Sequence, residues 1–227
     1  MADTQTDMKA VICTRYGGPD VLALGHVRRI APGPGQIEIA VQNATVNRTD
    51  TATLRAHPFF ARGMTGWLRP RHKVPGMDFA GVVARVGDGV ERFAVGDRVF
   101  GMSPERFGTY AEFLVIEAEG PVATLPDGVA LDEAVICEGA WYASATVNQL
   151  KSGQSLLIYG ASGAIGTAAL QLAKARCGGY GRCGHAASEP CAGVGSGSGD
   201  QLSGRGFYRS GAAFRHGVRC GRANVMV

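Results

Sequence analysis

The chain has 227 residues, 45% hydrophobic and 19% charged, with a formal net charge of +4, an ordinary balance for a soluble globular protein of one or two domains. No run of about 18 apolar residues occurs, which argues against a transmembrane helix, and the first nine residues lack the charged-then-apolar plan of a secretory signal. The cytoplasm is therefore the expected compartment, and no membrane partner is expected.

Residues 9–13, Lys-Ala-Val-Ile-Cys, read as a short strand ahead of a Tyr16-Gly-Gly-Pro19 turn. Residues 36–41 alternate with period two, as a half-buried strand does, and residues 79–86, 98–100 and 110–116 continue the series. A mostly β domain is expected over the first 120 or so residues. After Leu125-Pro-Asp-Gly128 the pattern turns helical at residues 132–137 and 140–146, a connection into a second domain.

Residues 155–159 then read as a buried parallel strand, followed by Gly160-Ala161-Ser162-Gly163-Ala164-Ile165-Gly166 and a helix. Ile165, Ala168, Ala169 and Leu172 fall at i, i+3, i+4 and i+7, which predicts one apolar helix face. Glycines let a backbone approach a pyrophosphate closely, and the free N–H groups and dipole of a helix start favour its negative charge. The spacing is G-x-x-G-x-x-G, departing from G-x-G-x-x-G at Ala161, so a dinucleotide cradle and a merely tight strand–helix turn both remain open.

Past about residue 176 the chain changes character. Residues 177–227 carry six Arg, no Lys, and only Glu189 and Asp200, a net of +4 that leaves residues 1–176 at zero. Leu, Ile, Val and Phe total seven in these 51 residues, below the roughly 20% under which a segment struggles to bury a core. The expected Val/Ile-type second strand is replaced by Cys177-Gly-Gly-Tyr-Gly-Arg-Cys-Gly184. Abundant Gly, Arg, Ala, Ser and Cys without Lys is what a GC-rich gene yields out of frame, so the segment is read as a disordered, out-of-frame tail. Its Cys177, Cys183, His185 and Cys191 match no zinc spacing, and its only aromatic pair is Phe207-Tyr208. Neither a metal nor a nucleic acid is expected there.

Four stretches resemble a known family in combination: Ala44-Thr-Val-Asn-Arg-Thr-Asp50, Pro75-Gly-Met-Asp-Phe-Ala-Gly-Val-Val-Ala-Arg-Val-Gly87, Phe93-Ala-Val-Gly-Asp-Arg-Val-Phe-Gly101 and Gly108-Thr-Tyr-Ala-Glu-Phe113. With the 156–174 stretch they make residues 8–176 similar to the medium-chain dehydrogenase/reductase family, in its zinc-independent quinone oxidoreductase (zeta-crystallin-like) branch. The resemblance implies an α/β plus β fold: a GroES-like β domain over 8–128, then over 129–176 the first βα unit of an incomplete Rossmann NADP-binding domain. Zinc-dependent members carry Cys where Asn47 stands and Gly-His-Glu where Gly76-Met77-Asp78 stands, together with a lobe of structural cysteines. With those thiolate and imidazole ligands missing, metal-free chemistry is expected.

The function so implied is hydride transfer from NADPH, with NADH an alternative, to a quinone, enone or other small carbonyl. Catalytic positions carried over are Asn47 and Asp50; cofactor positions are Gly160 to Gly166 and Asn47. Asn47 could fix the nicotinamide or polarise the acceptor, or simply satisfy a loop backbone; Asp50 is expected to hold that loop together rather than titrate in catalysis. Asp78 and Asp97 are expected to tie glycine turns by side-chain-to-backbone bonds. Trp141 and Tyr142 could line a cleft or fill the core. His57 and His72 are expected as solvated loop residues, and Arg62, Arg69 and Arg71 with Trp67 either attract an acidic substrate or form a solvated loop. A homo-oligomer is left open. With the second strand and its ribose-recognising residue absent, this chain is expected to bind NADPH poorly; the alternative is a non-catalytic remnant, a GroES-like domain with a disordered basic tail.

Overall fold

The computed structural model describes residues 7–149, 156–158, 163–177, 182–183 and 225–226. Gly160, Ala161 and Ser162 of the glycine turn and nearly all of the 177–227 segment lie outside the described residues. The chain divides into two units, Met1–Cys137 and Glu138–Val227.

In the first unit, β1 (Asp7–Cys13) pairs antiparallel with β2 (Leu22–Arg28). A five-stranded antiparallel sheet follows, formed by β3 (Gln36–Ala44), β4 (Asp78–Val86), β5 (Arg98–Met102), β6 (Phe113–Glu117) and β7 (Val122–Thr124) in the order β6-β3-β4-β5-β7. Its core collects Ile37 and Ile39 of β3, Phe79 and Val83 of β4, Val99 of β5, and Leu114 and Ile116 of β6, closed by Phe93. The period-two alternation places these side chains on one face, where burial of each full-sized apolar group contributes about 1.5–3 kcal/mol.

The other face of β3 departs from the half-buried expectation. Glu38 is fully buried, because Arg29 donates to it at 2.8 and 2.7 Å and Arg85 at 2.7 and 2.8 Å. Arg29 also lies 3.4 Å from the centroid of the Phe113 ring. Two guanidinium forks thus roof a strand position that alternation alone assigns to solvent.

Three short helices complete this unit: α1 (Arg48–Arg55), α2 (Arg62–Thr65) and α3 (Leu131–Ala134). The helical stretch expected over 132–137 is only this single turn. Helix α1 was not foreseen, yet its start is written as Asn47-x-x-Asp50, a reciprocal cap.

In the second unit, α4 (Glu138–Val147) and α5 (Ala164–Cys177) accompany β8 (Leu156–Ile158). Two-residue parallel strands, β9 (Arg182–Cys183) and β10 (Val225–Met226), flank β8 in the order β10-β8-β9. Ala143, Val147, Ile158, Ala169 and Ala173 form the core. The predicted apolar face of α5 holds at Ala169, which is in the core, and at Ala168 and Leu172, which pack against it, but Ile165 is exposed and the small Gly166 and Ala173 are buried instead. Small residues win that stripe because the helices approach closely; a Cβ on Gly139 would sit 3.1 Å from the Ala164 carbonyl oxygen. Trp141 and Tyr142 are about half exposed, which overturns the core reading for both. No helix among the described residues is long and apolar enough to cross a membrane.

Candidate functional site

Asn47 sits in extended backbone at the N-cap of α1, and its Oδ1 accepts from the amides of Thr49 (2.7 Å) and Asp50 (3.4 Å). Asp50 reciprocates, its Oδ2 accepting from the Asn47 amide at 2.9 Å. The acidic side chain also lies in the first turn, where the helix dipole favours it. The loop-satisfying roles weighed for both residues are therefore present in the structure. They also constrain any further role: with Oδ1 committed to the cap, a bond from Asn47 to an acceptor carbonyl is a donation from Nδ2.

Tyr110 reaches this turn from the loop ahead of β6. Its hydroxyl donates to the Thr45 carbonyl at 2.7 Å. Burial is the first cause of a phenol pKa held well above its ordinary value, and the neighbouring Asp50 carboxylate adds to it by charge and by hydrogen bonding, with Asp78 contributing charge. Tyr110 is thus a neutral hydroxyl at any physiological pH. Gly76 makes room for it: its backbone has φ +96°, and a Cβ there would overlap the Tyr110 ring and the Thr109 hydroxyl.

Asp78 anchors the same turn from β4. Its Oδ2 accepts from Thr45 Oγ1 at 3.0 Å, and Cys137 Sγ lies 3.4 Å from Oδ1 and 3.1 Å from the Gly101 carbonyl oxygen. These bonds of Asp78 run to side chains far away in sequence. The turn-tying expectation holds for Asp97, which accepts from the Ala94 amide at 2.8 Å. Thr45, Tyr110 and Cys137 were missed at the sequence level, because nothing in local spacing links residues 33 to 65 positions apart.

Zinc needs a set of thiolate, imidazole or carboxylate ligands. Among the described residues no group of three or more His, Cys, Asp or Glu side chains could hold a metal ion.

A small cleft of about 40 Å³ opens beside α1, lined by Cys13, Tyr16, Leu54, His72 and Phe107 among others. His72 is half-buried here rather than solvated, and burial, followed by the charges of Arg71 and Arg106, holds its imidazole pKa below the ordinary value. Burial likewise pushes the Cys13 thiol up, with its Sγ 3.2 Å from the Arg15 carbonyl oxygen. His57 remains exposed, as expected.

In the second unit, the described part of the glycine turn is Gly163 and the first turn of α5. The Gly163 carbonyl accepts from the Thr167 amide at 2.8 Å, which starts the helix, and Gly163 and Ala164 are exposed. An accessible helix start of this kind fits a phosphate group.

Residues 33–127 match the alcohol dehydrogenase GroES-like domain. A mycocerosic acid synthase-like polyketide synthase of Mycobacterium tuberculosis (strain ATCC 25618 / H37Rv) is 40% identical over 164 residues, 70% of this chain but 7% of that protein. The quinone oxidoreductase of Lama guanicoe is 36% identical over 184 residues, covering 78% of this chain and 52% of that enzyme. Among solved structures, the quinone oxidoreductase from Coxiella burnetii superposes with a TM-score of 0.67 at 26% identity, over 81% of this chain and 57% of that one. The chain thus spans about half the length of the quinone oxidoreductases it matches and under a tenth of the synthase.

Proposed function

Because the chain belongs to the medium-chain dehydrogenase/reductase family and is similar to its quinone oxidoreductases, we propose that it derives from a zinc-independent, NADPH-dependent reductase of quinones, enones or other small carbonyls. The observation that carries this reading is the doubly held Asn47 turn. Asp50 and Tyr110 fix it on one side and the Thr45–Asp78 bond on the other. Its amide could therefore donate from Nδ2 to an acceptor oxygen as negative charge grows there.

NADPH, when bound, supplies the hydride; the chain's own contribution is position. Gly163 and the start of α5 would hold a phosphate, with Gly160 to Gly166 completing the cradle. The Asn47 turn would orient ring and acceptor, and the buried Asp50 and Asp78 would hold that turn rather than transfer protons.

The segment after about residue 176 qualifies the proposal. Its Gly/Arg-rich, Lys-free composition supports an out-of-frame origin, in which case the ribose-recognising strand end is missing and NADPH binds weakly or not at all. The second reading, a non-catalytic remnant, rests on that composition alone. Fluorescence titration with NADPH, and NADPH oxidation with a quinone and an enone in the presence of a chelator, test the proposal on this chain and on a version with the reading frame restored near codon 176. Turnover by the restored form, unaffected by chelation, supports the reading; a restored form that neither binds NADPH nor reduces any of these acceptors overturns it. Micromolar NADPH binding by the chain as it stands would overturn the weak-binding expectation.

A further inference from the structure

Residues 51–77 contain five cations, Arg55, Arg62, Arg69, Arg71 and Lys73, and no carboxylate. The acids that bracket the stretch, Asp50 and Asp78, are both buried. What this stretch shows to solvent is therefore cationic, and it is also apolar: Phe59, Phe60, Trp67 and Leu68 are 60%, 81%, 65% and 85% exposed. These side chains form a built surface. Phe59 and Trp67 meet edge to face at 5.6 Å between centroids, and Arg62 stacks over both Phe59 (5.0 Å) and Tyr16 (5.1 Å). The backbone beneath is pinned, with the Tyr16 hydroxyl donating to the Gly66 carbonyl at 2.6 Å and the Arg71 amide to Thr65 at 2.7 Å. Asp20, on the turn after Tyr16, is paired with Arg15 at 3.7 Å.

We infer that this face docks on an anionic lipid bilayer. A small acidic ligand would need a concave seat with a cation in it, and the adjoining cleft, lined by residues such as Tyr16, Leu54 and Phe107, has no Arg or Lys in its lining. Protruding Trp, Phe and Leu beside Arg and Lys instead match the interfacial layer, where aromatic rings sit at headgroup depth and cations meet anionic phosphates. Apolar insertion and charge each give a marginal, reversible attachment, and together they give a stable one. Such docking needs no spanning helix, and it departs from the expectation that no membrane takes part. It stands independently of the proposed hydride transfer.

The chain has two tryptophans, so Trp141→Phe leaves Trp67 as the sole reporter. Full-length protein with this substitution is mixed with phosphatidylcholine vesicles containing or lacking 30% phosphatidylglycerol, a composition chosen at roughly the anionic content of charged membranes. The expected result is a blue shift of Trp67 emission and co-sedimentation with anionic vesicles only, both lost at high salt. Arg69→Gln and Arg71→Gln should each weaken binding about fivefold, one surface cation's worth, with unchanged circular dichroism. Replacing the tail arginines Arg205, Arg209, Arg215 and Arg219 by Gln should leave the Trp67 shift in place. No shift, an equal shift with neutral vesicles, binding that follows the tail arginines instead of Arg69 and Arg71, or a Trp67 response to a soluble acidic protein but not to vesicles would each overturn the inference.

Discussion

Arg29 and Glu38 form a two-point ion pair inside the first unit, with the Glu38 side chain fully buried and the Arg29 side chain 26% exposed. Burial alone would raise the Glu38 pKa, but the hydrogen bonds and charges of Arg29 and Arg85 outweigh it and hold the carboxyl at about 2, against 4.5 when unfolded. A carboxylate with a depressed folded-state pKa contributes stability that is fully present above the unfolded value and lost as pH falls through the folded one. The window is therefore pH 4.5 down to about 2, and the loss amounts to about 3 kcal/mol. Denaturant unfolding followed at steps from pH 6 to pH 2.5 should show this decline, and Glu38→Gln should flatten it while lowering stability at neutral pH by a similar amount, since two guanidinium groups lose their partner.

Asn47 carries a stability role that can be separated from a chemical one. Asn47→Ala removes the N-cap acceptor of α1 and should cost about 1 kcal/mol. Asn47→Asp keeps the cap oxygen and discards the amide donor. If Nδ2 polarises the acceptor, the frame-restored Asn47→Asp protein keeps a melting temperature near that of its parent while its kcat for quinone or enone reduction falls at least tenfold. Equal turnover in the two proteins would confine Asn47 to the cap.

How much of this could be read beforehand depended on the range of the interaction. The strands at Ile37-Ile39 and Leu114-Ile116 were legible because alternation is local and its apolar face went to the core. The burial of Glu38 was not, because its two arginines come from β2's end and from β4, 9 and 47 residues away. Asn47 and Asp50 were found through a resemblance, though a cap box four residues long was there to be read directly as the start of α1. The buried face of α5 went wrong at Ile165 because periodicity ranks residues by hydrophobicity, while close helix approach selects Gly166, Ala169 and Ala173 for size.

Gly76 and Tyr110 should prove coupled. Gly76→Ala places a methyl group at φ +96° against the Tyr110 ring, so left-handed strain of about 1–2 kcal/mol adds to a steric overlap. Tyr110→Phe keeps the ring and removes the hydroxyl's bond to the Thr45 carbonyl together with its interaction with Asp50, at about 1–3 kcal/mol. In the double variant the strain persists but the ring is no longer held in place by its hydroxyl, so the combined loss should be smaller than the sum. Chemical denaturation of the four proteins gives the cycle; strict additivity would mean the ring can move without disturbing its hydroxyl.

Thr109 tests the same region from its polar side. Its hydroxyl is buried, the residue being 1% exposed, and no hydrogen-bond partner for Oγ1 is found among the described residues. A buried hydroxyl without a partner forfeits its hydration, whereas a methyl group of the same shape has none to lose. Thr109→Val should therefore leave stability unchanged or raise it by about 1 kcal/mol, and Thr109→Ser, which keeps the hydroxyl and removes the methyl, should lower it by a similar amount. A loss above about 1 kcal/mol in Thr109→Val would instead show that the hydroxyl is hydrogen-bonded in the folded protein, by an internal water or by a residue outside the described ones.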